Sequence, residues 1–415
     1  MKSKFIIGLV FISSIAFAQN PRTVQWQSDL TLYHQALESN HIDLYHQIDK
    51  PSFESSLNTI GESIDGLSDW EIVLKLMRLT RRIGDGHTAV SLTNLETQTF
   101  PISVKKISNQ WRIVKAPVDK KELLGSRLAS IDGTNIKVIE RKLSKVAQYV
   151  ENSHSEVVRI GNYMPISELL YALKITHSLQ KAVFGLVTAE NKKFSLTLKA
   201  LPKSKLAQQQ YEHLSIQSSA VEKPKNADFD YLWYTTIEGT KATYIRFDNY
   251  PSFEEMVGFV EKLIEFTTQN QSQQLVIDLR NNGGGDLYIG LVLANALNLV
   301  DSIDWKNGVY VLTSGVTFSA GASNAALFRQ LLNAQVVGTP TGSNPTGYQD
   351  MGEFALPNSK LRITYSKRLF RLQEMITEGV QPDRLIKYDW ESYSQGVDNV
   401  LNEVIENLSQ PHKSR

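Results

Sequence analysis

Three short stretches place residues capable of chemistry at the ends of patterned segments. In Val316-Thr-Phe-Ser-Ala-Gly-Ala-Ser, Ser319 stands where an apolar run turns into a helical pattern. A serine there either caps the helix through its hydroxyl or attacks an electrophile. In Ile277-Asp-Leu-Arg-Asn-Asn-Gly-Gly-Gly-Asp286, three glycines follow the carboxyl end of a strand-like run. Such glycines serve a turn that needs positive φ, or let backbone N–H groups approach a negative atom. A phosphate cradle is one version, but the Lys and Ser/Thr that complete a P-loop are missing and the dinucleotide fingerprint spacing is not met. An oxyanion cradle needs only one or two donors. In Ile83-Gly-Asp-Gly-His-Thr88, His87 follows a helical pattern with little bulk around its ring. A neutral imidazole in that setting is either a general base or an ordinary loop histidine.

The remaining histidines lack a comparable setting. His34, His41 and His46 fall in the amphipathic N-terminal pattern, and His34 with Glu38 offers only two ligands on one helix face, too few to argue a metal. The chain has no cysteine, which removes thiol nucleophiles, thiolate metal sites and a lipidated N-terminal cysteine.

The elements that must position these residues follow from periodicity. From about Trp26 to Ile83 the pattern is helical; Ser68-Asp-Trp-Glu71 reads as a capping box, with Ile72, Leu76, Leu79 and Ile83 on one face. Short strand-like runs follow at 89–92, 100–104, 111–114 and 126–131, then the turn Asp132-Gly133 and an amphipathic helix beginning at Val138. Residues 182–198 are again β-rich, and 201–228 are mostly polar and read as a linker. From Ala242 strands alternate with helices. Ser252-Phe-Glu-Glu255 is a second capping box, opening a helix expected to turn Phe253, Val257, Val260 and Ile264 inward. Strands separated by helices imply βαβ units and a largely parallel sheet.

With 415 residues, 41% hydrophobic and 21% charged, the chain is long enough for two or three domains and has an ordinary soluble composition. Lys2 and Lys4, an apolar run to Ile12, and Ala16-Phe-Ala18 have the layout of a secretory signal cleaved after Ala18. No second apolar stretch follows, so no membrane span is expected once the signal is removed. Loss of its two lysines takes the formal charge from +1 to −1, without the basic excess that nucleic-acid binding requires.

Five motifs in order, Gly-Asp-Gly-His-Thr88, the Ile-Asp-Leu-Arg-Asn-Asn-Gly-Gly-Gly strand and turn, Thr317-Phe-Ser-Ala320, Val337-Gly-Thr-Pro-Thr-Gly342 and Gly379-Val-Gln-Pro-Asp383, resemble the tail-specific serine peptidases, which include the C-terminal processing peptidases and the tricorn core peptidase. The likeness spans nearly the whole chain after residue 18. It implies a multidomain α+β and α/β fold. Its parts are a helical N-terminal domain (19–92) carrying His87, a PDZ-like β-rich domain (93–200) with Leu124–Gly133 as its strand and turn, the linker 201–228, and a crotonase-like (ClpP-like) α/β domain (229–410) carrying the serine.

One branch of this family uses a lysine about twenty-five residues after the serine, but that count lands on Asn344, which cannot take a proton from a hydroxyl. The resemblance therefore implies the tricorn-like branch with His87 as base, and it puts Glu378, or failing that Glu374, as the carboxylate that orients the imidazole. Ser319 is then the nucleophile, with the amides of Gly283 or Gly284 and Ala320 as the oxyanion hole. The implied activity is that of an exported serine endopeptidase acting on peptide or protein substrates, without metal or organic cofactor. The alternative is an inactive peptide- or lipophilic-ligand-binding protein on the same scaffold. The sequence does not disclose the oligomeric state.

Overall fold

A computed structural model describes residues 20–408; the signal-like segment 1–18 lies outside them. The chain is a mixed α+β protein with two large sheets. One has six strands in the order Leu232–Thr236, Ala242–Phe247, Gln274–Asp278, Val309–Thr313, Gln335–Gly338 and Arg384–Leu385. The first pair is antiparallel and the rest are parallel. Gln274–Asp278 and Val309–Thr313 are buried along their whole length, as expected of parallel strands covered on both faces. Helices Phe253–Gln269, Leu287–Leu297 and Ala320–Leu331 contribute to the core on one face, and the C-terminal helix Asn399–Leu408 packs on the other.

The capping box at Ser252 and Glu255 forms, but the buried stripe of its helix is Met256, Phe259, Val260, Leu263 and Thr267, not the expected set. Phe253 is exposed: it sits in the first helical turn, and only Val260 belongs to both stripes.

The second large sheet is antiparallel and has seven strands between Ser103 and His213. Part of the stretch read as a linker joins it, since Tyr211–His213 pairs with Gln110–Pro117. This sheet shares one apolar core with the N-terminal helices Pro21–Asn40, Lys50–Glu62 and Asp69–Arg81. Leu356, Leu361 and Ile363 from far down the chain enter the same core. They belong to a long hairpin, Thr346–Ala355 with Arg362–Arg371, to which the short strand Ala89–Ser91 adds as a third member. At the hairpin's turn, the Asp29 carboxylate accepts the amides of Asn358 and Ser359 at 3.1 and 2.7 Å. The hairpin thus straps the N-terminal helices to the parallel-sheet half, immediately beside His87.

Candidate active site

Three loops leave the carboxyl edge of the parallel sheet side by side: the glycine turn after Asp278, residues 314–319 after Thr313, and residues 339–344 after Gly338. Ligand sites of open α/β sheets form at this edge. Short hydrogen bonds lock the loops together. Thr317 and Ser314 hydroxyls donate to the carbonyls of Leu279 and Arg280 at 2.8 and 2.6 Å. The Phe318 amide donates to the carbonyl of buried Asn282 at 2.9 Å, and the Asn282 side chain donates onward to the Phe247 carbonyl at 2.9 Å.

Ser319 sits at the resulting corner with φ 49° and ψ −126°, a backbone that L-residues adopt at a cost of about 1–3 kcal/mol. It occupies the N-cap position of Ala320–Leu331, yet its hydroxyl makes no capping bond. Instead the hydroxyl donates to His87 Nε2 at 2.9 Å, while its amide donates to the buried Ser343 hydroxyl at 2.7 Å. Gly284 lies against it: a Cβ there would stand 2.6 Å from Ser319 Cβ, and its φ of +112° is one that side chains resist.

Of the amides read as oxyanion donors, that of Gly284 is already given to Asn282 Oδ1 at 3.0 Å. Among the described residues, the Gly283 and Ala320 amides make no hydrogen bond. Ala320 follows Ser319 at the positive end of its helix, and Gly283 precedes the Gly284 that lies against Ser319.

The imidazole of His87 is almost wholly buried, its ring 5.4 Å from that of Phe318. Its Nδ1–H donates to Glu151 Oε1 at 2.9 Å, which leaves Nε2 as the acceptor toward Ser319. The sequence reading missed Glu151. It lies in the loop that precedes helix Ser153–Tyr163, whose start is marked by an Asn152/Ser155 capping box. Its second oxygen accepts the Asn344 amide at 2.6 Å. Asn344, where a lysine base would have been counted, therefore contributes its backbone to the carboxylate.

Glu378 is elsewhere: exposed, and accepting the Ser153 hydroxyl at 3.1 Å. Glu374 is exposed as well. The expectation that either residue orients His87 is corrected to Glu151. Gly86 permits the approach, because a Cβ there would fall 2.3 Å from Glu151 Cγ.

The loop bearing His87 is anchored by Asp85. Its buried carboxylate accepts from the amides of His87 and Thr88 at 3.1 and 2.7 Å, from the Ser366 hydroxyl at 2.6 Å and from His41 Nε2 at 3.0 Å. Burial pushes this carboxyl up, but the hydrogen bonds, His41 foremost, win and hold it below its ordinary value. His41 accepts the Asp43 amide at Nδ1, so its proton is on Nε2. Neither His41 nor His46 is helical: both lie in the connection between the first two helices. His34 is helical and meets the Tyr45 hydroxyl. Among the described residues no group of three or more His, Cys, Asp or Glu is arranged to hold a metal ion, and no helix is long and apolar enough to cross a membrane.

Serine, imidazole and carboxylate thus meet in the order that serine-type hydrolases use. Residues 292–386 match the model of peptidase family S41. The chain's fold is similar to that of mature CPAF, with a TM-score of 0.68 at 14% identity over 95% of this chain and 99% of that one. Mature CPAF complexed with lactacystin gives 0.65 at 13% identity over 94% and 98%. No curated protein sequence matches the chain.

Proposed function

We propose that this protein is an exported serine endopeptidase of the histidine-base type, with Ser319 as nucleophile, His87 as general base and acid, and Glu151 as the carboxylate that holds the imidazole. The observation that carries the reading is the unbroken relay from Ser319 Oγ to His87 Nε2 and from Nδ1 to Glu151, 2.9 Å at each step.

Ser319 Oγ bonds to the carbonyl carbon of the scissile peptide while its proton passes to Nε2, and the carbonyl π pair moves onto oxygen. The amides of Gly283 and Ala320 receive that oxyanion, a contribution of about 3–4 kcal/mol for a donor of this kind. Collapse breaks the C–N bond, and Nε2 returns the proton to the departing amine. Water then attacks the acyl-serine by the same sequence. The Glu151 carboxylate stabilises the imidazolium.

Cleavage of casein or a mixed peptide library by the wild type, Ser319→Ala and His87→Ala tests the reading. Loss of about 10⁴-fold or more is expected in both variants, together with loss of fluorophosphonate labelling in Ser319→Ala. Equal cleavage by all three proteins would overturn the assignment. Export rests on the signal-like residues 1–18; N-terminal sequencing of the purified native protein should begin at Gln19. The antiparallel sheet between residues 103 and 213 is the part we read as PDZ-like, the candidate for engaging a substrate end.

A further inference from the structure

Away from the Ser319 loops, a cavity of about 340 Å³ opens where three helical segments meet. Its floor is apolar, formed by Leu67, Leu74, Ala172 and Leu173. Its rim is cationic: Lys75 and Arg78 from helix Asp69–Arg81, Lys142 and Lys145 from the end of helix Ile136–Ser144, and Lys174 from the turn after helix Ser167–Ala172. The only acid in the lining is Glu71, and its Oε2 is taken by the Ser68 amide and hydroxyl, both at 2.9 Å. Among the described residues Lys75, Arg78, Lys145 and Lys174 make no ion pair. Lys142 is fixed on the rim by donating to the carbonyls of Leu173 and Lys174 at 2.9 and 3.1 Å.

In a chain with 44 basic and 43 acidic residues, five cations against one committed carboxylate is a local imbalance. The self-repulsion of these cations weakens the free state and is relieved by an anion. The volume is at the lower end for ligand pockets, enough for one or two side chains. The apolar floor adds a requirement that inorganic phosphate would leave unmet. Two of the lining helices run directly into the loops bearing His87 and Glu151, so the cavity belongs to the same body as the site, on a protein that meets polypeptides.

We propose that this cavity binds an acidic polypeptide segment, carboxylates on the cationic rim and one apolar side chain on the floor, as an exosite for substrate; the exosite role rests on the peptidase reading above, the binding itself does not. The test is fluorescence anisotropy of a labelled peptide in which leucine is flanked by glutamates, titrated with the uncleaving Ser319→Ala protein. Binding should weaken about 10-fold or more when salt rises from about 0.05 M to about 1 M, which shortens the screening length to about 3 Å. It should weaken as much when Lys75→Glu and Lys145→Glu are added, with Lys174→Glu as a second variant should the double one not fold. A peptide with lysines in place of the glutamates should not bind.

Unchanged affinity in the charge-reversal variants, or equal affinity for acidic and basic peptides, would overturn the site. Capture of phosphatidylglycerol–phosphatidylcholine vesicles with the same charge-reversal dependence, and of no peptide, would reassign it to anionic lipid. In the active protein, Lys145→Glu should leave cleavage of a short neutral reporter unchanged and lower kcat/KM for an acidic-tailed one. A protein that cleaves nothing but binds the acidic peptide would sink the peptidase reading and leave this site standing.

Discussion

The hydrogen bonds that shape the Ser319 turn join residues at most 38 positions apart, from Thr317 back to Leu279 and from Ser343 back to Ser319. Those that set the histidine half reach much further: Ser366 to Asp85 across 281 positions, Asn344 to Glu151 across 193, and Asn152 to Thr341 across 189. Closing longer loops costs more chain entropy before any contact repays it. The serine, its glycine turn and the free amides are thus built by the parallel sheet itself. The base and its carboxylate arrive only when the N-terminal helices and the hairpin Thr346–Arg371 have docked. The lesson is that activity can be lost from this protein without touching the nucleophile, by loosening the strap.

Short of removing Ser319 or His87 themselves, the largest expected effect falls on the histidine half. Glu151→Gln keeps the shape but offers His87 a neutral partner that no longer fixes the tautomer or stabilises the imidazolium, so kcat should fall about 10³- to 10⁴-fold. Fluorophosphonate labelling rates measured alongside peptide cleavage would report it, with the melting temperature confirming the fold.

On the serine half, Gly284→Ala should cost about 10²-fold in kcat/KM. Its Cβ would fall 2.6 Å from Ser319 Cβ at a φ of +112°, and misplacement of a reacting group by about 1 Å has effects of that size. Substrate turnover by correctly folded protein measures this, and wild-type turnover would contradict the account of the corner.

Asp85→Asn separates the two halves. Replacing a buried carboxylate that accepts from two amides, a hydroxyl and the His41 N–H should destabilise the protein by about 2 kcal/mol and lower activity about 10-fold through the His87 loop, while the serine corner keeps its hydrogen bonds. Because the folded-state pKa of Asp85 is lowered, its ionised form stabilises the fold above the unfolded value of about 3.9. That contribution is lost as pH falls through the lower folded value. The gap in melting temperature between wild type and Asp85→Asn should therefore be full at pH 6 and narrow below about pH 4; a gap that widens on acidification would contradict the role given to Asp85.

Much of the serine half was legible in sequence because local rules build it. The capping box at Ser252 forms as expected, Val309–Thr313 is a buried strand, and the glycine turn follows Asp278. His87 stood out by its glycine-flanked loop, but the choice between a base and an ordinary loop histidine came from the family resemblance. Glu151 could not, because Tyr149-Val-Glu-Asn-Ser carries no chemical signature and the residue acquires its partner only through the docking of distant loops. The one local signal was the Asn152/Ser155 helix start, which places Glu151 at an element boundary as Ser319 and His87 are. The strap was invisible for the same reason: nothing in Ala89–Ser91 announces that it will pair with Arg362–Thr364, far down the chain.

Glu378→Gln supplies the smallest effect and the sharpest discrimination. The carboxylate is exposed and accepts one hydrogen bond, from Ser153, and glutamine retains an acceptor oxygen of the same reach. Surface changes of this kind usually stay within about 0.5 kcal/mol, so kcat/KM should remain within about 2-fold of wild type and the pH profile should not move. If Glu151→Gln were instead benign and Glu378→Gln crippling, the imidazole would take its partner from the Gly379 loop in the working enzyme. The relay through residue 151 would then be a resting arrangement, and the strap would matter for stability alone.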